Sequence, residues 1–244
     1  MVEPARSEPK VAIITGASRG IGAHLVKDFR AAGYRVVANS RSIGTSDVAA
    51  DPAVLAIDGD IASPDTAERV VGAAIDRHGR IDTLVNNAGI FIPKPFVDYS
   101  QADFAAATAA NLAGFFHISQ RAASRMLRAG SGHIVNITAA ISEQPVASLP
   151  SALAALTKGG LNAVTRALGI EYAGRGVRVN AVSPGVIDTP MHAPAMHAFL
   201  AGLQPMGRMG CTQDVVDAVL YLERAPFVTG EILHVDGGAY AGHW

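Results

Sequence analysis

One glycine-rich turn constrains the fold of this chain more than any other feature. The apolar run Val11–Ile14 stops at the turn Thr15–Gly22. The following apolar residues, from Ile21 to Phe29, recur four positions apart with polar residues between them, which is the period of a helix. A second apolar run, Tyr34–Ala38, comes next. These residues predict a βαβ unit, in which a helix connects two parallel strands.

The same alternation of apolar runs and helical patterns continues along the chain. Five further strands are predicted at Val54–Ile57, Ile81–Val85, His133–Ile137, Val177–Val182 and Ile232–Val235. One long helix is expected from the cap residue Ser100 to about Ala129. Strands that alternate with helices favour an α/β fold: a single Rossmann-type, doubly wound parallel sheet of about seven strands, with helices on both faces.

Composition and charge exclude several classes of partner. Apolar residues make up 49% of the 244 residues, enough to bury both faces of a sheet. The formal net charge is −1 with no basic block, so nucleic acid is not an expected partner. No apolar run reaches the roughly 20 residues of a membrane span. The lone Cys211 allows no cysteine-based metal site, so no metal is expected and a cytoplasmic location is favoured.

The glycine turn has the composition of a phosphate-binding loop. Glycine lets the backbone turn tightly and approach a pyrophosphate, and the positive end of the following helix favours that anion. The context after a strand and before a helix gives the pattern its meaning. The residues expected to bind a dinucleotide here are Gly16, Ser18, Arg19, Gly20, Ile21 and Gly22.

Further motifs follow in a fixed order. They are Asp60-Ile61, Asn86-Asn87-Ala88-Gly89, Asn111, Lys158, and Pro184-Gly185 leading to Thr189. With the Thr-Gly-x-x-x-Gly-x-Gly spacing of the turn, the chain resembles the short-chain dehydrogenase/reductase family from Lys10 to Gly238. The resemblance implies an oxidoreductase that uses a nicotinamide dinucleotide and a small-molecule carbonyl or alcohol substrate. It also implies a homotetramer or homodimer, for which the apolar stretch Ala152–Leu156 with Leu161 offers a helical contact.

The resemblance assigns binding roles along the cleft. Asp60 and Ile61 would border the adenine, and Asn87, Ala88 and Gly89 would line the ribose side. Pro184, Gly185, Ile187 and Thr189 would surround the nicotinamide amide. We therefore expect a polar N-terminal extension over residues 1–9 and an NAD(P)-binding domain over residues 10–244, with a substrate loop near 186–209.

The end of the second strand bears on the choice between NAD and NADP. An NAD-specific site of this fold usually has an acidic residue there, which binds the ribose 2′-hydroxyl. Here the strand ends Ala38-Asn39-Ser40-Arg41-Ser42, without a carboxylate. Arg41 and Arg19 could instead pair with a 2′-phosphate. Ser40 and Arg41 are therefore added to the cofactor site, and NADP(H) is favoured over NAD(H).

The chain departs from the family at the residues that move a proton. The resemblance implies a serine after the fifth strand and a Tyr-x-x-x-Lys motif on the next helix. Asn111 and Lys158 are retained, but Ala154 stands where the tyrosine is expected. Aligned from the end of the fifth strand, Ala139 matches the second residue of the family's usual Ser-Ser. Counted back from Lys158 instead, the expected serine position falls near Ile141 and Ser142. The serine assignment stays open, and the tyrosine is missing.

Several residues are candidates to replace the lost proton donor: Thr138, Ser142, Ser148 and Ser151 beside the expected cleft, and His192 and His197 in the expected substrate loop. Of these, Ser142 and His192 are taken as candidate site residues. Ser142 lies in the segment beside the expected cleft, and His192 lies in the expected substrate loop, with an imidazole whose ordinary pKa is near neutrality. A local turn role for Ser142 and a solvated loop position for His192 are the alternatives.

Two functions follow. The first is an NADP(H)-dependent oxidoreductase with an altered proton relay, in which Asn111 and Lys158 are catalytic. The second is a catalytically weak NADP(H)-binding sensor or partner subunit. A third possibility is that the chain is an engineered inactive form. The changed spacing before Ala154 argues against it, because it indicates that the whole segment differs from the family pattern.

Overall fold

The computed structural model describes residues 8–242, so most of the expected extension over residues 1–9 lies outside the described part. Seven parallel strands form one sheet in the order β3-β2-β1-β4-β5-β6-β7. The strands are β1 (Val11–Thr15), β2 (Arg35–Ser40), β3 (Val54–Asp58), β4 (Thr83–Asn86), β5 (Gly132–Ile137), β6 (Val177–Pro184) and β7 (Ile232–Val235). The predicted doubly wound, Rossmann-type sheet is confirmed.

Helices connect most of these strands. They are α1 (Gly20–Ala31), α2 (Pro64–His78), α3 (Gln101–Ala107), α4 (Gly114–Ala129), α5 (Ala152–Ala173), α6 (His197–Ala201) and α7 (Thr212–Arg224). Between β2 and β3 the chain makes only two short 3-10 turns, Ile43–Thr45 and Asp47–Ala50. No helix within residues 8–242 combines the length and apolar character that crossing a bilayer requires.

The long helix predicted from Ser100 to Ala129 is interrupted. Ser100 caps α3 as expected, because its hydroxyl accepts from the Asp103 backbone N–H at 3.1 Å. The segment Thr108–Ala113 then forms a π-helical turn before α4 begins. Such turns are frequent at functional sites. This one contains Asn111, whose contacts are described below.

The sheet is covered on both faces. Helices α1 and α7 pack on one face, where Phe29 and Leu222 are fully buried. Helices α2, α4 and α5 cover the other, where Ile118 and Met126 are fully buried. Burying side chains of this size contributes roughly 1.5–3 kcal/mol each. The fold therefore rests on two separate apolar layers with the sheet between them.

The strand order determines where in the fold the ligand site lies. From β1 the chain winds outward through β2 to β3, then returns to add β4 on the other side of β1. In such sheets ligands bind beyond the carboxyl ends of the strands at this reversal. The loops after β1 and β4 meet there.

Candidate functional site

The glycine loop after β1 has a backbone that side chains would obstruct. Gly16 and Gly20 have positive φ angles of 63° and 56°. A Cβ added at Gly16 would lie 2.8 Å from the Ala88 Cα, and one at Gly22 would overlap the Gly16 carbonyl oxygen. The glycines thus bring the loop, the start of α1 and the end of β4 into direct contact.

Asn87 and Thr15 tie this loop to β4. The Asn87 side-chain amide donates to the carbonyl oxygens of Thr15 at 3.0 Å and Gly16 at 3.1 Å. The Thr15 hydroxyl oxygen accepts from the backbone N–H groups of Asn87 at 3.1 Å and Ala88 at 3.0 Å. The sequence analysis missed Thr15, whose role depends on a partner 72 residues away. Asn87 therefore fixes the shape of the loop as well as lining the cleft.

A cavity of about 880 Å³ lies along the carboxyl ends of the strands. Most of the residues predicted to bind the cofactor line it: Gly16, Ser18, Arg19, Gly20, Ile21, Ser40, Arg41, Asp60, Ile61, Asn87, Ala88, Gly89, Lys158, Pro184, Gly185, Ile187 and Thr189. His192 lines it too, whereas Gly22, Asn111 and Ser142 do not. The cavity extends from the ends of β2 and β3 to the segments after β5 and β6.

The end of the cavity beside β2 is polar. Ser40, Arg41 and Arg19 line it, and Asp60 is the carboxylate among the lining residues. The Ser40 hydroxyl is buried and has no hydrogen-bond partner among the described residues. An unpaired buried hydroxyl is costly unless a ligand or water supplies a partner. This end therefore fits a polar ligand group that bonds to Ser40 and faces two arginines.

Lys158 lies in the middle of the cavity wall. Its Nζ atom donates to the Ile137 carbonyl oxygen at 2.8 Å. Burial lowers the pKa of Lys158 to about 8. An ammonium group has three donors, and the bond to Ile137 uses one of them. A Cβ at Gly89 would approach the Lys158 Nζ to 2.9 Å. Gly89 therefore leaves Lys158 accessible to a ligand with hydroxyl groups.

Asn111 holds the neighbouring backbone rather than lining the cavity. Its amide donates to the Ile90 carbonyl oxygen at 3.1 Å and to the Thr157 hydroxyl at 3.0 Å. Its side-chain oxygen accepts from the Ile90 N–H at 2.9 Å. The π-helical turn thus carries a buried side chain that connects the segment after β4 to α5. Asn111 positions the wall on which Gly89 lies.

The positions expected to carry the serine and tyrosine provide no hydroxyl to the cavity. Ala139 lines it, whereas Ala154 is buried and does not. The wall before α5 is formed instead by side chains that include Val146 and Leu149. The Ser142 hydroxyl donates to the Ala139 carbonyl oxygen at 2.7 Å. Ser142 therefore has the local turn role, and the geometry gives no support to it as a proton donor.

His192 and Gln144 are two of the polar side chains at this end of the cavity. Burial, followed by the neighbouring His197, lowers the pKa of His192, and Asp188 opposes that shift. Gln144 also lines the cavity, and the sequence analysis did not identify it. Its only signal was its place in the unusual segment between Ala139 and Ala154. Within residues 8–242, no group of three or more His, Cys, Asp or Glu side chains is arranged to hold a metal ion.

Comparison with known proteins identifies the class. The family model described as Enoyl-(Acyl carrier protein) reductase matches residues 16–240. The chain is 39% identical over 250 residues to a protein named as a granaticin polyketide synthase ketoacyl reductase from Streptomyces violaceoruber, covering 96% of this chain and 97% of that protein. The chain belongs to the short-chain dehydrogenase/reductase family, which confirms the resemblance in its sequence.

Two solved structures show the same fold. ElxO with NADP bound superposes with a TM-score of 0.89 at 26% identity, covering 96% of this chain and all (100%) of that chain. A 3-ketoacyl-(acyl-carrier-protein) reductase from Brucella melitensis complexed with NADH superposes with a TM-score of 0.88 at 32% identity, covering 96% and 99%. The chain is therefore similar to proteins solved with either form of the cofactor.

Proposed function

We propose that this protein is an oxidoreductase that binds NADP(H) and transfers hydride between it and a small carbonyl or alcohol substrate, with an altered proton relay. The observation that carries the proposal is the intact cleft around Lys158. The Ile137 carbonyl oxygen fixes the position of the Lys158 ammonium group, which has further N–H donors beside Gly89. Family membership and the cofactor-bound relatives support the same activity.

The preference for NADP(H) rests on the polar end of the cavity. Arg41 and Arg19 can pair with a 2′-phosphate, and the orphaned Ser40 hydroxyl can donate to it. Asp60, the carboxylate that lines this end, accepts from the Ala62 backbone N–H at 3.0 Å. The relatives support use of a nicotinamide cofactor, and these side chains are our reason for choosing the phosphorylated form.

The residues of the cleft have separate tasks. When bound, the nicotinamide supplies or accepts the hydride. The glycine loop and the first turn of α1 hold the pyrophosphate, Lys158 holds ribose hydroxyls, and the backbone around Pro184 to Thr189 orients the nicotinamide end. Asn111 holds the backbone of Ile90, the residue after Gly89, in place. Such positioning contributes to the rate without any proton transfer.

The proton-transfer step lacks the side chains that the family pattern provides for it. Ala139 and Ala154 have no proton to exchange, and the Ser142 hydroxyl is directed to a backbone carbonyl. Of the titratable side chains that line the substrate end, His192 is the one not used to hold the cofactor in this proposal. General acid–base groups typically contribute about 10²–10⁴-fold, so turnover should be slow unless His192 or a water supplies the proton.

A second function is favoured by the same two alanines. A protein that binds NADP(H) tightly without turnover would act as a sensor or as a partner subunit. Calorimetric titration with NADPH, followed by a screen of aldehydes, ketones, quinones and imines, separates the two functions. NADPH binding with turnover supports the oxidoreductase, and NADPH binding without turnover supports the sensor. Absence of NADPH binding would contradict both.

We also propose that the chain forms a homodimer or homotetramer through α3, α4 and α5. Four large apolar side chains on these helices are exposed: Phe104, Phe116, Leu156 and Ile170, the last with 82% exposure. The stretch expected to make this contact is partly internal, because Leu153 and Leu161 are buried within the chain. The exposed residues, rather than the whole apolar stretch, are therefore the candidates for an interface.

A further inference from the structure

The two ends of the main cavity differ in chemical character. Residues after β1, β2 and β3 supply Arg19, Arg41 and Asp60. Because β5 and β6 lie on the other side of β1 in the sheet, the segments after them line the opposite end. Among residues 8–242, no Asp, Glu or Arg lines that end, and the charged or titratable side chains that line it are Lys158 and His192.

The walls of this opposite end come from three segments and are apolar. Phe91 follows β4, and Val146 and Leu149 precede α5. Met196 and Phe199 belong to the loop after β6. Because three separate parts of the chain contribute the same kind of side chain, the apolar character belongs to the whole compartment and not to one residue.

Hydrogen-bonding side chains in the same compartment are few. Gln144 and His192 line it, and neither side chain has a hydrogen bond to another residue within the described range 8–242. Thr138, Thr189 and Gln204 also line the cavity. The Thr138 hydroxyl donates to the Val182 carbonyl oxygen, the Thr189 hydroxyl oxygen accepts from the Met191 N–H, and the Gln204 amide donates to the Leu203 carbonyl oxygen. The Gln204 side-chain oxygen has no partner among the described residues, but as an acceptor it cannot bond to a carbonyl oxygen. An apolar compartment with so few polar side chains is suited to a ligand that has one carbonyl on an apolar frame.

We infer that the substrate is an uncharged, largely apolar carbonyl compound, or its alcohol, with its oxygen recognised by Gln144 or His192. The inference rests on the proposed function and narrows it. Among the described lining residues, a carboxylate or phosphate inside this compartment would have two basic partners: Lys158, which the cofactor uses, and His192, whose pKa burial lowers below its ordinary value. A polyol would leave most of its hydroxyls unpaired.

A binding experiment that does not depend on turnover tests this inference. The full chain is saturated with NADP⁺ and titrated with 2-acetylnaphthalene, with 6-acetyl-2-naphthoic acid and with dihydroxyacetone. Cofactor and ketone are both oxidised, so no hydride transfer disturbs the measurement. The apolar ketone should bind at least about tenfold more tightly than the other two compounds.

The outcomes separate this inference from the proposed function. Equal or tighter binding of the carboxylate or the polyol, or binding of NADP⁺ without binding of the apolar ketone, overturns the substrate class. Failure of NADP⁺ itself to bind overturns the proposed function instead.

A matched pair of variants tests whether the ligand lies in this compartment. Met196 lines the compartment and is 46% exposed. Met196→Lys therefore places a cation at the compartment wall without burying a charge in the apolar core. Met206 is 69% exposed and lies outside the main cavity, so Met206→Lys is the control. Met196→Lys should lower the preference for the apolar ketone over its carboxylate analogue severalfold, and Met206→Lys should not. An unchanged ratio in Met196→Lys would show that the ketone binds elsewhere.

Discussion

The Nζ atom of Lys158 donates a 2.8 Å hydrogen bond to the carbonyl oxygen of Ile137, the last residue of β5. This bond joins the N-terminal part of α5 to the carboxyl end of β5. It fixes a buried ammonium beside Gly89 even though Ala154, one helical turn earlier, has no phenol to interact with it. The lysine of the family motif therefore keeps a defined position without its usual neighbour.

Replacement of Lys158 by alanine should weaken NADPH binding. The loss should be roughly 1–3 kcal/mol, because ligand hydroxyls and the Ile137 carbonyl oxygen would both lose a donor. Isothermal titration calorimetry measures the effect directly. Lys27→Ala, at an exposed position of α1, is the matched control and should bind NADPH like the unmodified protein. An unchanged affinity in Lys158→Ala would remove this residue from the cofactor site.

Replacement of Arg41 by aspartate should shift the cofactor preference towards NADH. Loss of a charge-assisted hydrogen bond, worth about 1.5–3 kcal/mol, should raise the dissociation constant for NADPH by about tenfold or more. The NADH constant should change little. Arg35→Asp, at the opposite end of β2, is the control for the change in net charge. Equal dissociation constants for NADPH and NADH in the unmodified protein would already refute the preference.

A buried His133–Glu223 contact predicts acid sensitivity. His133 Nδ1 lies 2.8 Å from Glu223 Oε2, and His133 Nε2 lies 3.0 Å from Asn180 Nδ2. The Asn180 amide must donate, so Nε2 accepts and the neutral ring donates to Glu223 through Nδ1. Burial lowers the pKa of His133 below its ordinary value of 6.5, against the opposing effect of Glu223.

The direction of the pH effect follows from this shift. Below pH 6.5 the unfolded chain binds a proton at His133 that the folded chain does not, so stability present above pH 6.5 is lost as the pH falls. We expect the free energy of unfolding of His133→Gln to depend less on pH between 6.5 and 5 than that of the unmodified protein. His24→Gln, at an exposed site, should retain the original dependence. Parallel pH curves for all three proteins would contradict the assignment.

Local patterns in the sequence were sufficient for the strands and for most of the cleft. The glycine turn, the Asn86–Gly89 motif and Pro184–Gly185 each combine a backbone requirement with a fixed place at a strand end. Parallel strands then bring such ends to one edge of the sheet. This is why most of the predicted cofactor residues line a common cavity although they are far apart in the chain.

Contacts over long sequence separations were not predictable in the same way. The interruption of the helix expected over Ser100–Ala129 occurs where Asn111 bonds to Ile90, 21 residues away. The buried pair His133 and Glu223 is separated by 90 residues, and neither residue belongs to a motif. Gln144 belongs to no motif, and its position in the cavity depends on how the altered segment before α5 folds.

The proposed oligomer should depend on the exposed apolar side chains of α3 to α5. Leu156→Glu combined with Phe116→Glu places two charges on this surface and should shift the mass in solution towards the 25.2 kDa of one chain. Light scattering coupled to size exclusion measures that mass. Met206→Glu, on an exposed residue outside these helices, should leave it unchanged. A 25.2 kDa mass for the unmodified protein would end the proposal.

The last prediction concerns Ala154, which is 5% exposed and does not line the cavity. Val146 and Leu149, which precede α5, contribute to the cavity wall. A tyrosine at this buried position must displace neighbouring side chains, and overpacking of this kind typically costs about 1–3 kcal/mol of stability.

Despite that cost, Ala154→Tyr should raise carbonyl reductase activity, alone or with Ala139→Ser. The new phenol would lie one helical turn from the Lys158 ammonium, which favours its ionised form, and a general acid of this kind contributes about 10²–10⁴-fold. Ala154→Phe is the matched control, because it adds the same ring without the hydroxyl. Initial rates of NADPH oxidation with 2-acetylnaphthalene should be higher for the tyrosine variant than for the phenylalanine variant, and unfolding curves should show a similar loss of stability in both. Equal rates in two variants that remain folded and bind NADPH would mean that the phenol does not reach the substrate, and that the altered segment before α5 has displaced the proton-transfer position itself.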